Sequence, residues 1–381
     1  MASLPCLVVL LLSLLVQLGT SAALDLAQAP AAAPENYFRP PHPLTQTPIV
    51  GMLTLPVTVP HQLKYGSASF AASYVRWIEA GGARVAPIHY DSSPEELYAL
   101  LGSVNGVVWT GGLVDFNPTV DDPEGGKYLA TTQAILEYVL ARNEAGTYYP
   151  FWATCLGFER LTQLLARDVN STIIDTVDAE NLDINLNLTP AGWLSRMLGG
   201  MSYELFKEVA SPLGHLAFNN HGLGITPAKF RGSSAYEYLK ILSIDKDRNG
   251  KEFVSTVEGR SLPIYGTQWH PEKAAWEWDT RLRLSHVEHA VEFSSYLGSY
   301  FANECKFNNH TFASPEAEAR ALIYNWVPVP TGPITGIKSA YTNIYFFPAD
   351  HSSWWAKHAK KVTFSLARAF GFEEELDSAS G

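Results

Sequence analysis

The stretch "YPFWATCLGFERL" (149–161) decides the fold class and singles out one residue. Large apolar residues run up to Cys155, Gly157 follows two positions later, and an amphipathic pattern then begins. This order predicts a buried strand that passes through a tight turn into a helix. In a parallel sheet such a turn lifts one side chain out at the carboxyl edge, where ligands bind. Cys155 is therefore a candidate nucleophile, although a cysteine that closes a strand is often buried and inert.

Strand and helix patterns alternate around this corner. Buried strands are predicted at 47–56, 83–90, 105–112 and 148–155. Helices are predicted at 69–82, from Ser93, at about 127–145 and at 157–167. Alternation of this kind predicts an α/β fold, with a mostly parallel sheet and helices on both faces. Later segments add an antiparallel hairpin, a further strand and a helix, at 236–259, 262–272 and 285–306.

The composition excludes several classes of protein. The chain has 381 residues, 46% of them hydrophobic, and a formal net charge of −11. A nucleic-acid partner is not expected, because phosphates need a basic surface.

His286 and His289 lie three positions apart on a predicted helix, but no third ligand accompanies them. No metal or cofactor is therefore predicted.

The N-terminal segment, residues 1–23, is predicted to be a secretory signal peptide. Residues 4–18 are nearly all apolar, too few to span a bilayer comfortably, and small residues follow at 20–23. No Lys or Arg precedes the apolar run, so a membrane anchor is the alternative, although no stable membrane insertion is expected. A Pro/Ala-rich linker at 24–47 should be disordered.

Cysteine usage and glycosylation motifs extend this interpretation. Sequons occur at Asn170, Asn187 and Asn309, which fits a protein of the vacuole, lysosome or extracellular space. After signal cleavage only Cys155 and Cys305 remain, so the chain is not a disulfide scaffold. We predict no bond between them, because pairing would consume the nucleophile.

A nucleophilic cysteine needs a base, and His270 is the strongest candidate. It ends a predicted strand in "YGTQWHPE" (265–272), and Glu272 can point the same way and orient the imidazole. The alternative is a histidine that only caps the strand. Backbone N–H groups of Gly112 and Leu156 are candidate oxyanion donors, unless the glycine turn at 109–113 is needed only for its tightness.

The motifs "WTGG", "TCLGFE" and "TQWHPEK", in this order and spacing, resemble the γ-glutamyl hydrolases of the class I glutamine amidotransferase-like group. The likeness covers roughly residues 46–346. It implies an ω-type cysteine peptidase that hydrolyses γ-glutamyl bonds in folyl-poly-γ-glutamates, through a thioester on Cys155 with His270 and Glu272. It also implies that three further residues contact this small-molecule substrate: Glu159, His221 and Tyr74.

Two other functions stay open. A glutaminase or amidotransferase-like hydrolase of another γ-glutamyl amide would use the same chemistry. True amidotransferases carry Gln where Glu159 stands and a module that uses ammonia, and no such module is visible. A non-catalytic secreted binding protein on this scaffold is disfavoured, because Cys155, His270 and Glu272 are all present. The sequence leaves the oligomeric state open, with a homodimer as one option.

The chain is predicted to divide into a catalytic domain at 48–326 and a C-terminal extension at 327–381. Within the extension, apolar side chains share one helical face and basic side chains another. Such an amphipathic helix either packs on its own domain or lies in a membrane interface.

Overall fold

The computed structural model of the chain describes residues 38–119, 121–211, 214–332, 339 and 341–349. The predicted signal peptide, the linker up to residue 37 and the predicted tail helix lie outside the described residues. The described residues belong to one compact unit.

The strands are numbered in chain order. They are β1 (Ile49–Leu53), β2 (Leu55–Pro56), β3 (Ala68–Ala71), β4 (Arg84–Ile88), β5 (Gly106–Trp109), β6 (Phe151–Thr154), β7 (Asp175–Ile184), β8 (Ala217–Gly224), β9 (Leu239–Lys246), β10 (Glu252–Gly259), β11 (Ile264–Thr267), β12 (Val329–Pro330) and β13 (Asn343–Phe347).

The α-helices are numbered in the same way. They are α1 (Ala72–Ala80), α2 (Pro94–Leu101), α3 (Pro123–Glu144), α4 (Leu156–Leu165), α5 (Pro190–Trp193), α6 (Arg196–Gly199), α7 (Tyr203–Val209), α8 (Pro227–Arg231), α9 (Ala235–Tyr238), α10 (Glu288–Cys305) and α11 (Pro315–Ala321). Short 3₁₀ turns occur at Pro60–Gln62 and Ile323–Asn325.

The main sheet has seven strands in the order β4-β1-β5-β6-β11-β10-β9. The strands from β4 to β11 are parallel, and β10 and β9 continue the sheet as an antiparallel pair. Every residue of β1, β5, β6 and β11 is buried, as strands covered on both faces must be. The predicted fold class, with its antiparallel hairpin, is confirmed. Because β5 and β11 flank β6, the loops after these three strands meet at one edge.

Two small antiparallel sheets lie outside the main sheet. One pairs β7 with β8, and the other has the order β12-β13-β3-β2. In the second sheet Ile344 pairs with Ala71, and Phe347 pairs with Ala68. Residues assigned by sequence to the C-terminal extension therefore lie directly beside the start of α1.

The predicted helix at 69–82 is wrong in its first turn, because residues 68–71 form β3 and the helix begins at Ala72. The predicted strand at 47–56 is divided between β1 and β2, which lie in different sheets. Strand β2 pairs with β3, and β3 pairs with β13, which lies about 275 residues further along the chain, so no local pattern could reveal this sheet.

Other boundaries differ for local reasons. Helix α3 begins at Pro123, four residues before the prediction, because Asp122 caps it by accepting the Gly125 N–H. Helix α4 begins at Leu156, and residues 236–238 belong to α9 rather than to a strand. Strand β11 ends at Thr267, so His270 lies in the turn after the strand.

The described part of the linker is anchored, contrary to the expected disorder. Arg39 forms an ion pair with Glu304 at 2.8 Å, and the Leu44 and Thr45 N–H groups donate to the Lys306 carbonyl. A buried carboxylate thus fixes this segment to the end of α10. Among the helices of the described ranges, none is both long and apolar enough to cross a membrane.

Candidate active site

Cys155 occupies the tight turn that the sequence predicts between β6 and α4. Its backbone angles, φ 52° and ψ −113°, lie outside the regions that non-glycine residues normally adopt. Such a conformation costs about 1–3 kcal/mol and persists only where neighbours fix it. Here the Cys155 N–H donates to the Thr267 carbonyl at 2.8 Å, and its carbonyl accepts the Glu159 N–H at 2.9 Å. The strained turn places the sulfur at the carboxyl edge of the sheet.

Gly157 explains why the turn needs a glycine two residues after the cysteine. A Cβ atom at this position would lie 2.7 Å from the Trp109 carbonyl oxygen and 2.8 Å from the Trp109 Cβ. The absence of a side chain therefore lets α4 approach β5 closely and brings the loops after β5 and β6 together.

Two opposing effects set the ionisation of Cys155. The Leu156 N–H does bond to the sulfur and lowers the thiol pKa, as a helix N-terminus should. Burial is the larger effect, and together with the Glu159 carboxylate it raises the pKa of the Cys155 thiol well above its ordinary value. The thiol therefore needs a base to take its proton.

His270 and Glu272 form the pair that the sequence predicts. His270 Nδ1 lies 2.8 Å from Glu272 Oε1, and the two side chains are 3% and 0% exposed. A proton on Nδ1 that is donated to Glu272 leaves Nε2 as the basic nitrogen. The pair lies in a turn, and the His270 N–H donates to the Phe218 carbonyl at 2.9 Å.

Gly111 marks the point where the reactive groups converge. A Cβ atom on Gly111 would lie 2.8 Å from His270 Cε1, 2.9 Å from the Tyr74 hydroxyl and 3.0 Å from Cys155 Cβ. Cys155 and His270, the candidate nucleophile and base, therefore surround one backbone position. Sequence reasoning selected Gly112, the next residue, which is exposed and whose own Cβ would contact Leu55 and Leu156.

Tyr74 is fully buried between the base and the glycine loop. Its hydroxyl oxygen accepts the Gly111 N–H at 2.8 Å and lies 3.3 Å from His270 Nδ1. The Gly111 N–H is used by Tyr74, so the candidate oxyanion donor in this loop is the next N–H, that of Gly112.

Glu159 follows the nucleophile by one turn of α4 and is 3% exposed. Its Oε1 accepts a hydrogen bond from Gln268 Nε2 at 2.8 Å. Burial raises the pKa of Glu159 to about 8, and Gln268 and Arg160 only partly offset this rise. The carboxyl group is therefore neutral below that pH and can donate a hydrogen bond.

His221 lies within β8. Its Nδ1 lies 2.6 Å from the Leu223 carbonyl oxygen, and its Nε2 lies 3.0 Å from Asn219 Oδ1. Burial, with a smaller contribution from the charge of nearby His270, lowers the pKa of His221 to about 3, although the hydrogen bond to the Leu223 carbonyl partly offsets this fall. His221 is thus a neutral neighbour of His270 and Glu272.

Sequence reasoning missed several residues of the site. Lys273 is fully buried, lies directly after Glu272 and interacts electrostatically with Cys155. Arg160 donates to the carbonyls of Asp115 and Phe116 and so ties the loop after β5 to α4. The "HPEK" motif could have indicated Lys273. No local pattern pointed to Tyr341, whose ring lies 3.6 Å from Lys273 Nζ.

The remaining sequence candidates lie elsewhere. Cys155 and Cys305 are both free thiols, as predicted. Cys305 packs against Gly106 at the amino end of β5, at the opposite end of that strand from the site. His286 pairs with the Ala274 carbonyl and His289 with Glu292, so the two rings do not converge.

Comparison with known proteins gives the family. Residues 48–272 match the family model described as peptidase C26. The Homo sapiens gamma-glutamyl hydrolase is 34% identical over 312 residues, which cover 81% of this chain and 94% of that protein. Gamma-glutamyl hydrolase B of Dictyostelium discoideum is 33% identical over 299 residues, covering 78% and 83%. Gamma-glutamyl hydrolase 2 of Arabidopsis thaliana is 32% identical over 342 residues, covering 88% and 91%.

These matches confirm the resemblance that the three sequence motifs indicate, and they confirm the prediction of an enzyme. The family match ends at Glu272 and so includes Cys155 and His270. The chain belongs to the peptidase C26 family.

Proposed function

We propose that this protein hydrolyses the γ-glutamyl bonds of folyl-poly-γ-glutamates, with Cys155 as nucleophile, His270 as acid and base, and Glu272 as the group that orients His270. One observation carries the proposal. Cys155 and His270 surround Gly111, and the buried Glu272 carboxylate lies on the far nitrogen of the imidazole. This is the arrangement that an activated thiol requires.

Acylation begins with proton transfer. His270 Nε2 takes the proton of the Cys155 thiol, whose raised pKa keeps it protonated at rest. The sulfur attacks the γ-carbonyl carbon of the scissile bond. His270 then gives the proton to the departing glutamate nitrogen, so the C–N bond breaks and a γ-glutamyl thioester remains on Cys155.

Deacylation reverses the roles. A water molecule gives a proton to His270 and attacks the thioester carbon. The C–S bond breaks, the sulfur recovers its proton from His270, and the product leaves with a free γ-carboxylate. Glu272 stabilises the imidazolium that forms in both steps.

Two backbone N–H groups are proposed as donors to the developing oxyanion. Leu156 N–H already points at the sulfur, and in the facing loop Gly112 directly follows Gly111, whose own N–H is given to Tyr74. Preorganised donors of this kind typically contribute about 10²–10³ in kcat each.

Substrate contacts are proposed for Glu159, His221 and Tyr74, with different roles. Neutral Glu159 offers a donor and an acceptor beside the nucleophile, which suits the polar groups of a glutamyl residue. Neutral His221 would present an uncharged imidazole. Tyr74 is already engaged by Gly111 and His270, so its main contribution is to hold these two in place.

A secretory location is also proposed, in the vacuole, lysosome or extracellular space. It is supported by the exposed side chains of Asn170 and Asn309, the acceptors of two sequons. Glycosidase treatment of the protein from its native source should lower its mass. An unchanged mass would contradict passage through the glycosylating compartments.

A defined substrate tests the proposed reaction. Pteroyl-penta-γ-glutamate should be shortened, with the products identified by mass, whereas the α-linked isomer and glutamine should be left intact. Cys155→Ser, which keeps a hydroxyl at nearly the same position, is the matched control and should be inactive. Ammonia release from glutamine with intact pteroyl-polyglutamate would instead establish a glutaminase. A wild-type protein inert towards all three would support a binding protein.

A further inference from the structure

Tyr341 reaches the active site from the far end of the described chain. Its segment is held there on both sides: Arg281 donates to the Ser339 carbonyl at 2.8 Å, and the Thr342 N–H donates to Glu277 at 2.7 Å. Strand β13 then begins two residues after Tyr341 and pairs with β3. The position of Tyr341 is thus fixed by three separate attachments, and it lies beyond the residues matched by the family model, 48–272.

The Tyr341 hydroxyl acts on the site through Tyr74. Tyr74 lowers the pKa of the Tyr341 hydroxyl, as a hydrogen-bond donor beside it does, and Tyr74 itself accepts the Gly111 N–H and lies beside His270 Nδ1. In the tautomer that leaves Nε2 basic, Nδ1 carries a proton, so Tyr74 cannot donate to it. The Tyr74 proton is then given to Tyr341, and this fixes the orientation of the Tyr74 oxygen.

The Tyr341 ring acts on the site through Lys273. The ammonium nitrogen lies 3.6 Å from the ring centroid, at cation–π distance, and the whole Lys273 residue is buried. The ionisable groups that act on this ammonium are Cys155, Glu272, Glu277 and Asp279. Burial lowers the pKa of Lys273, and each of these groups raises it. The ring therefore holds a buried cation among the groups that carry the reaction.

We propose that Tyr341 is a positioning residue of this active site, whose hydroxyl holds Tyr74 against Gly111 and His270 and whose ring holds Lys273 near Cys155. The proposal rests on the proposed function, because it assigns Tyr341 to the same Cys155–His270 machinery. Its consequence is that the C-terminal segment completes the catalytic centre. A well-placed ammonium stabilises the thiolate that forms when His270 removes the proton.

Two substitutions separate the two contacts. Tyr341→Phe keeps the ring over Lys273 and removes the hydroxyl, whereas Tyr341→Leu removes both. Tyr345→Phe and Tyr345→Leu are matched controls, because Tyr345 lies on the same segment, packs on Phe70 and is not among the residues of the site. Each variant is compared for kcat and KM on pteroyl-penta-γ-glutamate, for thermal transition, and for the rate of Cys155 alkylation by iodoacetamide against pH.

We expect Tyr341→Phe to lower kcat about threefold to tenfold, with KM and the alkylation profile unchanged. Tyr341→Leu should lower kcat further and move the alkylation profile to higher pH, so that the rate at pH 8 falls about threefold to tenfold. The Tyr345 variants should match the wild type in kcat and in alkylation. Because Tyr341→Phe changes one atom, it decides the hydroxyl contact even where Tyr341→Leu is unstable.

The opposite pattern overturns the proposal. If Tyr341→Leu folds and its alkylation profile matches that of Tyr345→Leu, the ring does not hold Lys273 near the thiol. If Tyr341→Phe has wild-type kcat, the hydroxyl does not position Tyr74. The alkylation assay uses no substrate. A wild-type protein inert towards γ-glutamyl compounds, but with the expected alkylation shift in Tyr341→Leu, would therefore refute the proposed function and support the ring contact.

Discussion

His270 Nδ1 lies 2.8 Å from Glu272 Oε1, within a turn where neither side chain is more than 3% exposed. The other carboxylate oxygen of Glu272 has no hydrogen-bond partner among the described residues. A buried carboxylate with one unsatisfied oxygen is costly, and a charge on the neighbouring imidazole offsets that cost. The arrangement of the pair therefore suits the stabilisation of a charged imidazole, as the proposed reaction requires.

Gly111→Ala should greatly reduce activity without unfolding the protein. The added Cβ would lie at 3.0 Å or less from His270, Tyr74 and Cys155, so the site must widen. A displacement of this size typically costs about 10²-fold in kcat. Steady-state kinetics together with a thermal transition measure the two effects separately.

Gly126→Ala is the matched control for that substitution. Gly126 lies inside α3, and a Cβ there would meet nothing within 4 Å. Alanine should stabilise the helix by about 0.5–1 kcal/mol and leave kcat unchanged. Equal losses of kcat in the two variants would show that the effect of Gly111→Ala is not specific to the site.

Glu159→Gln should raise KM more than it lowers kcat, because Glu159 is proposed to contact substrate and not to react. It should also change the thiol. The Glu159 charge raises the pKa of Cys155, but Glu159 is ionised only above about pH 8. Alkylation of Cys155 should therefore be faster in the variant above pH 8 and similar below it. A thousandfold fall in kcat with KM unchanged would mean that Glu159 acts in the transition state.

The same substitution should change stability with pH. The pKa of Glu159 is raised from 4.5 to about 8 by folding, so between these values the unfolded chain has lost a proton that the folded chain keeps. Stability from this group falls as pH rises through that window. Glu159→Gln lacks this loss of stability. Its transition temperature should therefore rise, relative to that of the wild type, between pH 5 and pH 8. If the difference between the two transition temperatures does not change with pH, Glu159 does not titrate as proposed.

Truncation of the chain tests where the catalytic unit ends. Removing the residues after 349 keeps Tyr341 and β13, so activity on a soluble substrate should be nearly intact. Removing the residues after 332 deletes both and should abolish activity. Loss of activity in a folded protein truncated after 349 would mean that the tail itself takes part in the site.

The sequence predicted what local patterns control. The buried strand before Cys155, the turn and the amphipathic helix after it lie within one stretch of 13 residues, and all three are present. The antiparallel hairpin of β9 and β10 was predicted on the same basis, because its turn residues lie between two short apolar runs.

What the sequence did not predict depends on distant partners. Strand β3 pairs with β13, from the other end of the chain, and the segment that leads into β13 brings Tyr341 to the site. The burial that raises the pKa of Cys155 comes from the packing of several segments and is not visible in the sequence, whereas the helix N-terminus beside it is. The resemblance to the γ-glutamyl hydrolases predicted the chemistry, but it did not predict these contacts.

The central claim concerns the roles of Cys155, His270 and Glu272, and kcat of three alanine variants on pteroyl-penta-γ-glutamate tests it most directly. Cys155→Ala should abolish turnover, because no other group forms the acyl-enzyme. His270→Ala should be nearly as damaging, since the leaving amine needs its proton. Glu272→Ala should lose about ten- to a thousandfold, because it acts through the imidazole. With folding confirmed by thermal transitions, a Glu272→Ala protein as inactive as Cys155→Ala, beside a substantially active His270→Ala, would contradict the account.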